Sequence, residues 1–276
     1  MDTPIIPNSS TIPPTGKANY ASLRAWNWAM AVLHFVQGVV MVILSLPKAG
    51  EDYVSLPVTT AYLKIDPNNP VFGVAPTPET WFNLPIGPTV AIFLFLSAIA
   101  HFILAGPGRA WYEANLAKGM NKLRWYEYML SSSVMIVVIA MLCGIYDFWL
   151  LVMMFAINAI MNLMGLMMEV HNQTTPKTNW LSYNIGVFAG AMPWIAIFAA
   201  FFAAINSAGV DLPGFVYAIV FTIFATFNVF AITMILQYKK IGPWKDYLYG
   251  ERTYMIMSLV AKSLLAWQMF SGTLRP

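Results

Sequence analysis

The sequence predicts an all-α membrane protein of seven spanning helices, with a small β-hairpin in the loop between the first two, and three observations carry that prediction. The 276 residues are 59% hydrophobic and only 10% charged, with a mean hydropathy of +0.63, whereas a soluble domain is about 45–50% apolar and about 25% charged. Apolar stretches of the roughly 20 residues that a helix needs to cross the hydrocarbon layer recur along almost the whole length. The segments between them are short and most contain Pro, Gly or Asn, which stop helices.

Residues 1–23 are rich in Pro, Ser and Thr and read as a tail. They hold no short apolar core followed by a small-residue cleavage site, so the first span, not a removable signal peptide, is expected to direct insertion. Spans are expected near 24–46, 86–110, 120–145, 148–170, 179–207, 212–239 and 248–272, so that residues 24–276 form one membrane domain. Residues 47–85 are too polar and proline-rich to cross. There, Val, Thr and Tyr runs flank a DPNNP turn signal, which predicts a β-hairpin lying on the membrane surface. The single cysteine, Cys143, excludes an intramolecular disulfide and any cysteine-built metal or haem site. The many Met and Phe residues are expected to face lipid or to pack between helices.

Orientation follows from the positive charges near helix ends, which favour the cytoplasm. Lys17, Arg24, Arg109, Lys118, Lys122, Arg124, Lys177, Lys239, Lys240, Lys245 and Arg252 fall on the side of the amino terminus. Lys48, Lys64 and Arg275 fall opposite, and Lys262 is the fifteenth. A bias of eleven to three places the amino terminus, with the tail, in the cytoplasm; seven crossings then place the carboxyl terminus and the hairpin outside.

Lys262 is the residue that asks for an explanation. It lies about 14 residues, or roughly 21 Å, into the last span, too deep for its ammonium to reach water comfortably. A charge at that depth costs at least ~2.5–3.5 kcal/mol, and ionisable residues in spans are functional candidates. Glu127 is the carboxylate read as lying clearly inside a span, about seven residues, or roughly 10 Å, into the third. Both spans begin on the cytoplasmic side. Lys262 is expected roughly 10 Å deeper than Glu127, a gap that its long stem spans in part. The pair serves either a bound group or simply the joining of two helices.

Other residues are ambiguous by themselves. Trp125, Trp194 and Phe227 offer flat rings inside spans, suited either to ordinary packing or to a flat apolar ligand. His34 and His101, in the first two spans, are either hydrogen-bonded core residues or proton-exchanging groups. Asn158 and Asn162, four apart on the fourth span, share a face that must point into the bundle, because an amide facing lipid is unsatisfied.

Four segments then carry a resemblance: AVLHFVQG on the first span, NKLRWYEYMLSSSVM on the third, FNVFAITMILQY on the sixth and SLVAKSLLAW on the seventh. Together they resemble heliorhodopsins, retinal-binding photoreceptors inverted in the membrane relative to other microbial rhodopsins, and the likeness covers essentially the whole chain. It implies a rhodopsin-like bundle holding all-trans retinal as a Schiff base on Lys262. Glu127 would be the counterion, with Ser258 hydrogen-bonding near the imine. Trp194, Phe227, Asn158, Asn162, Tyr128 and Ser131 are expected around the retinal. His34, His101, Asn121 and Trp125 would form a polar cluster that accepts the imine proton on the cytoplasmic side. The resemblance further implies a homodimer in lipid with the hairpin at its contact.

A light sensor is the expected function. Proton-exporting microbial rhodopsins follow the counterion with a Thr four residues on and a proton-donating carboxylate eleven residues on. Here those positions are Ser131 and Val138, and valine donates no proton. The carboxylate that such pumps carry four residues before the lysine is replaced by Ser258. Isomerisation to the 13-cis form, internal proton transfer and a slow return are therefore expected to be read by an unknown cytoplasmic signalling partner. The alternative is a light-gated or light-driven proton or cation transporter, with Glu169 on its path. No enzymatic activity, metal or nucleic-acid partner is expected, since no phosphate loop, metal-ligand cluster or paired nucleophile and base is found.

Overall fold

In the computed structural model, residues 17–66, 68, 73–207 and 213–274 are described. The first 16 residues of the expected tail, and Pro67, Asn69 and Pro70 of the expected turn, lie outside them. The described residues form eight α-helices and a two-stranded sheet: α1 (Lys17–Leu44), β1 (Ser55–Ile65), β2 (Val74–Pro85), α2 (Ile86–Ala105), α3 (Arg109–Leu116), α4 (Lys122–Leu142), α5 (Phe148–His171), α6 (Leu181–Asn206), α7 (Gly214–Tyr238) and α8 (Tyr247–Met269). Six of them, α1, α2, α4, α5, α6 and α7, are long and apolar enough to cross a membrane. The seventh expected span, α8, has the length, at 23 residues, but it carries Glu251, Arg252 and Lys262, and those charges lower its mean hydropathy.

Local chemistry explains the boundaries. The second expected span ends at Ala105, because Gly106, Pro107 and Gly108 interrupt the ladder and the chain restarts as the short α3. Three starts are capped by side chains that accept an otherwise unpaired amide: Asn121 from Arg124, Asp147 from Leu150 at 2.9 Å and Asp246 from Leu248 at 2.9 Å.

The hairpin is antiparallel, with Val58 opposite Phe82 and Thr59 opposite Thr80, so Trp81 is the extra residue of a bulge. With two strands both are edges, and Pro57, Pro76 and Pro78 are tolerated within them. The Thr59 amide donates to the Tyr146 carbonyl at 2.8 Å, and Trp81 packs on Phe148 and Trp149, which fastens the hairpin to the start of α5.

In the bundle, α1 packs on α2, α2 on α4, α4 on α5, α5 on α6, and α8 on both α7 and α1. Between α6 and α7, large rings meet: Trp194 on Phe224 at 5.1 Å and Phe201 on Tyr217 at 5.0 Å. At Gly165 of α5, by contrast, a Cβ would lie 2.3 Å from the Trp125 ring of α4, so only glycine admits that close approach.

Candidate functional site

Lys262 on α8 and Glu127 on α4 meet directly. The Lys262 ammonium donates to Glu127 Oε1 at 2.7 Å and to Ser258 Oγ at 2.9 Å, with side-chain exposures of 3% for the lysine and 7% for the glutamate. The expected gap between them is therefore closed. Side chains on a helix lean toward its amino terminus, and the bond to Ser258 one turn earlier shows Lys262 running back along α8 toward Glu127. Ser97 of α2, absent from the sequence reading, donates to the same carboxylate oxygen at 2.7 Å. The ammonium also lies 5.2 Å from the centre of the Tyr128 ring, a cation–π distance.

Of the pair, Lys262 lines a cavity of about 800 Å³, its open mouth included, while Glu127 stands behind it. Lys262, Ser258, Tyr128, Ser131, Asn162 and Phe227 line it, as the sequence reading expected of a binding site, and so does Trp125. Trp194 and Asn158 are not among its lining residues. Trp194 sits behind Phe227, ring to ring at 5.7 Å. The Asn158 amide is engaged instead by the hydroxyls of Ser132 at 2.8 Å and Ser133 at 3.0 Å, because a buried amide on α5 must find partners on α4.

The four residues expected as one polar cluster bond in two separate groups. His34 and His101 stack with ring centroids 5.8 Å apart. His101 Nδ1 shares a hydrogen bond with Asn27 Oδ1 at 2.8 Å, while both ring nitrogens of the buried His34 have no hydrogen-bond partner among the described residues. Asn121 and Trp125 bond elsewhere. The Trp125 indole donates to Glu169 Oε2 at 2.8 Å, the Asn121 backbone N–H donates to the same oxygen at 3.0 Å, and the Asn121 side-chain amide donates to Glu251.

Glu169 and Glu251 belong to a buried charge cluster that the sequence reading did not assemble. The Arg124 guanidinium bridges them, one arm to each carboxylate, joining α4, α5 and α8 at one end of the bundle. Tyr247 donates to Glu169 at 3.1 Å, and Tyr112 of α3 donates to Glu251 at 3.1 Å. Burial and the Glu251 carboxylate raise the Tyr112 phenol well above its ordinary range. Arg124, counted above among the surface charges, is thus an interior residue. One signal did point inward: Glu169 lies in the last turn of α5, where the helix dipole disfavours an anion unless a cation compensates.

A family model described as Heliorhodopsin matches residues 23–274. The chain belongs to the heliorhodopsin family. No curated protein matches it. Among solved structures, this heliorhodopsin resembles the crystal structure of a light-driven proton pump, LR (Mac), from Leptosphaeria maculans. The two share 15% identity over 94% of this chain and 97% of that one, with a TM-score of 0.61, a likeness of fold.

Membership in the family implies a retinal chromophore. The residues present fit one. Ligand pockets are lined mainly by apolar side chains with a few placed polar groups, and here a largely apolar wall carries a single amine held beside one carboxylate.

Proposed function

We propose that this heliorhodopsin is a light-sensing photoreceptor that signals rather than pumps. The observation that carries the reading is the Lys262 ammonium, buried at the wall of an apolar cavity and paired with Glu127 at 2.7 Å. Bound as all-trans retinal through an imine on Lys262, the chromophore would supply visible absorption and photoisomerisation. Everything else falls to the protein. Glu127 holds a fixed anion against the Lys262 nitrogen, and Ser97 orients it. His34, whose two ring nitrogens have no partner among the described residues, is an internal acceptor for a proton leaving that nitrogen, and the His101–Asn27 pair stands behind it.

Burial of Val138 among Met135, Ile136 and Ile139 favours a closed proton circuit, since the corresponding turn of α4 offers no group to reload the site from bulk. In this reading α8 is the seventh crossing, and the end of the bundle that carries Arg124 faces the cytoplasm, with the amino terminus beside it. The hairpin, which exposes Tyr62 and Leu63, would mediate a homodimer outside. A partner would read the basic cytoplasmic face.

Transport is the competing reading, favoured by the buried carboxylates Glu169 and Glu251. Illumination of a suspension of cells expressing the retinal-loaded protein separates the two. A sensor leaves the external pH unchanged, whereas an uncoupler-sensitive pH change on illumination would make it a transporter.

A further inference from the structure

Trp125 belongs to two sites at once. Its ring lines the cavity shared by Lys262, and its indole nitrogen donates to Glu169 at 2.8 Å inside the Arg124 cluster. No other residue lining the cavity hydrogen-bonds, by its side chain and among the described residues, to either carboxylate of that cluster. The ring has little room. Gly165 presses on one side so closely that a Cβ there would lie 2.3 Å away, while Tyr254 and Tyr128 stand edge-on at 6.0 and 6.2 Å. A ring so packed shifts as a rigid body, and its N–H shifts with it.

At the far end of that bond, Glu169 is one of two carboxylates on a single guanidinium, so Arg124 has two partners to share. When Glu169 loses the indole donor, its negative charge turns more fully to Arg124, at the expense of Glu251. The three helices joined at this point are α4, α5 and α8, and α8 also carries Lys262. The guanidinium lies over the Tyr254 ring at 4.1 Å and over the Trp125 ring itself at 4.9 Å, so a shift of Trp125 is felt by the arginine directly as well.

We propose that Trp125 is the positioning residue that couples the retinal cavity to the Arg124–Glu169–Glu251 cluster, with the Trp125–Glu169 hydrogen bond made in the dark and broken in the light-activated state. This rests on the retinal reading above and adds the route by which a change in the cavity reaches the end of the bundle. Two discrete arrangements of one guanidinium between two carboxylates are the kind of bistable element that such a switch needs.

Light-minus-dark infrared difference spectroscopy of the retinal-loaded full chain tests it. The wild type is expected to show a carboxylate difference band that disappears in Glu169→Gln, together with an indole N–H stretch moving to its free position. In Trp125→Phe the Glu169 band, normalised to the visible bleach, is expected to fall at least fivefold. A Glu169 band of unchanged normalised amplitude in Trp125→Phe would overturn the proposal. So would a wild-type spectrum that bleaches in the visible yet shows no indole N–H change, a readout that does not depend on whether the variant folds. In the retinal-free protein, the indole N–H band lost in Trp125→Phe is expected at its hydrogen-bonded position, and a free position there would also overturn it. Absence of any visible band in the wild type is a separate outcome that sinks the photoreceptor reading itself, and this coupling with it.

Discussion

Lys262 and Glu127, 135 residues apart in sequence, form a direct 2.7 Å ion pair between α8 and α4, and both are buried. Breaking a buried pair by removing one partner leaves an uncompensated charge, at a cost of about 3–5 kcal/mol, whereas replacing both by apolar residues is often close to neutral. In retinal-free protein, Glu127→Leu is therefore expected to lower the thermal denaturation midpoint sharply, and Lys262→Met with Glu127→Leu to restore most of the loss. A double variant no more stable than Glu127→Leu would show that the pair carries no coupling.

Arg124 serves two carboxylates on different helices with a forked guanidinium. A lysine is a single point charge and does not reproduce that fork. Arg124→Lys is expected to lose most of the folded yield in detergent that Arg124→Met loses, and a wild-type yield for Arg124→Lys would contradict the bridging role.

Gly165 meets the Trp125 ring with no space for a methyl group. Overpacking of this kind costs about 1–3 kcal/mol. Gly165→Ala is expected to lower thermal stability and to move the visible band of the retinal-loaded protein, because the displaced ring lines the cavity. An unshifted band at unchanged stability would show that the ring has room to yield.

Tyr112 lies on α3, outside the spanning helices, and is buried against Glu251. A phenol whose folded pKa is raised contributes stability that is fully present below the unfolded value of about 10 and is lost as pH rises through the folded value. Wild-type protein is thus expected to lose stability above about pH 10 more steeply than Tyr112→Phe. Spectrophotometric titration of tyrosinate checks it: the Tyr112 contribution, taken as the difference between the two proteins, should appear only above the ordinary phenol range.

The hairpin is held to α5 through Trp81, which packs on Phe148 at 5.1 Å and on Trp149 at 6.1 Å. Aromatic pairs of this kind contribute about 0.5–1.5 kcal/mol each. Trp81→Ala is expected to raise amide exchange along β1 and β2 while the bundle is unaffected, and unchanged exchange in the strands would place their anchor elsewhere.

Particular residues show what sequence reasoning reaches. Lys262 stood out because a cation in the middle of an apolar run has few structural excuses, and the hairpin because a turn signal sat between β-favouring runs. Arg124 and Glu251 did not stand out, and Glu169 only as a member of an ion path, because each lies within two turns of a helix end, where a charge ordinarily meets water. Only three-dimensional packing of α4, α5 and α8 turns those three ends inward. Separation of α3 from α2 hinged on the Gly106-Pro107-Gly108 break within a run that otherwise reads as continuous. Rise per residue locates Cα atoms, and so left open how far the Lys262 side chain reaches; its ammonium runs back toward Ser258 and meets Glu127. Trp194 and Asn158 contact residues that line the cavity, Phe227 and Ser132, without lining it themselves, a distinction that spacing alone does not make.

In the proposed photoreceptor Lys262 carries the chromophore. The most direct test is the absorption spectrum of the purified protein expressed with all-trans retinal, before and after Lys262→Ala. A visible band in the wild type that vanishes in Lys262→Ala is the result predicted. A band of equal strength in both, or none in the wild type, would contradict it.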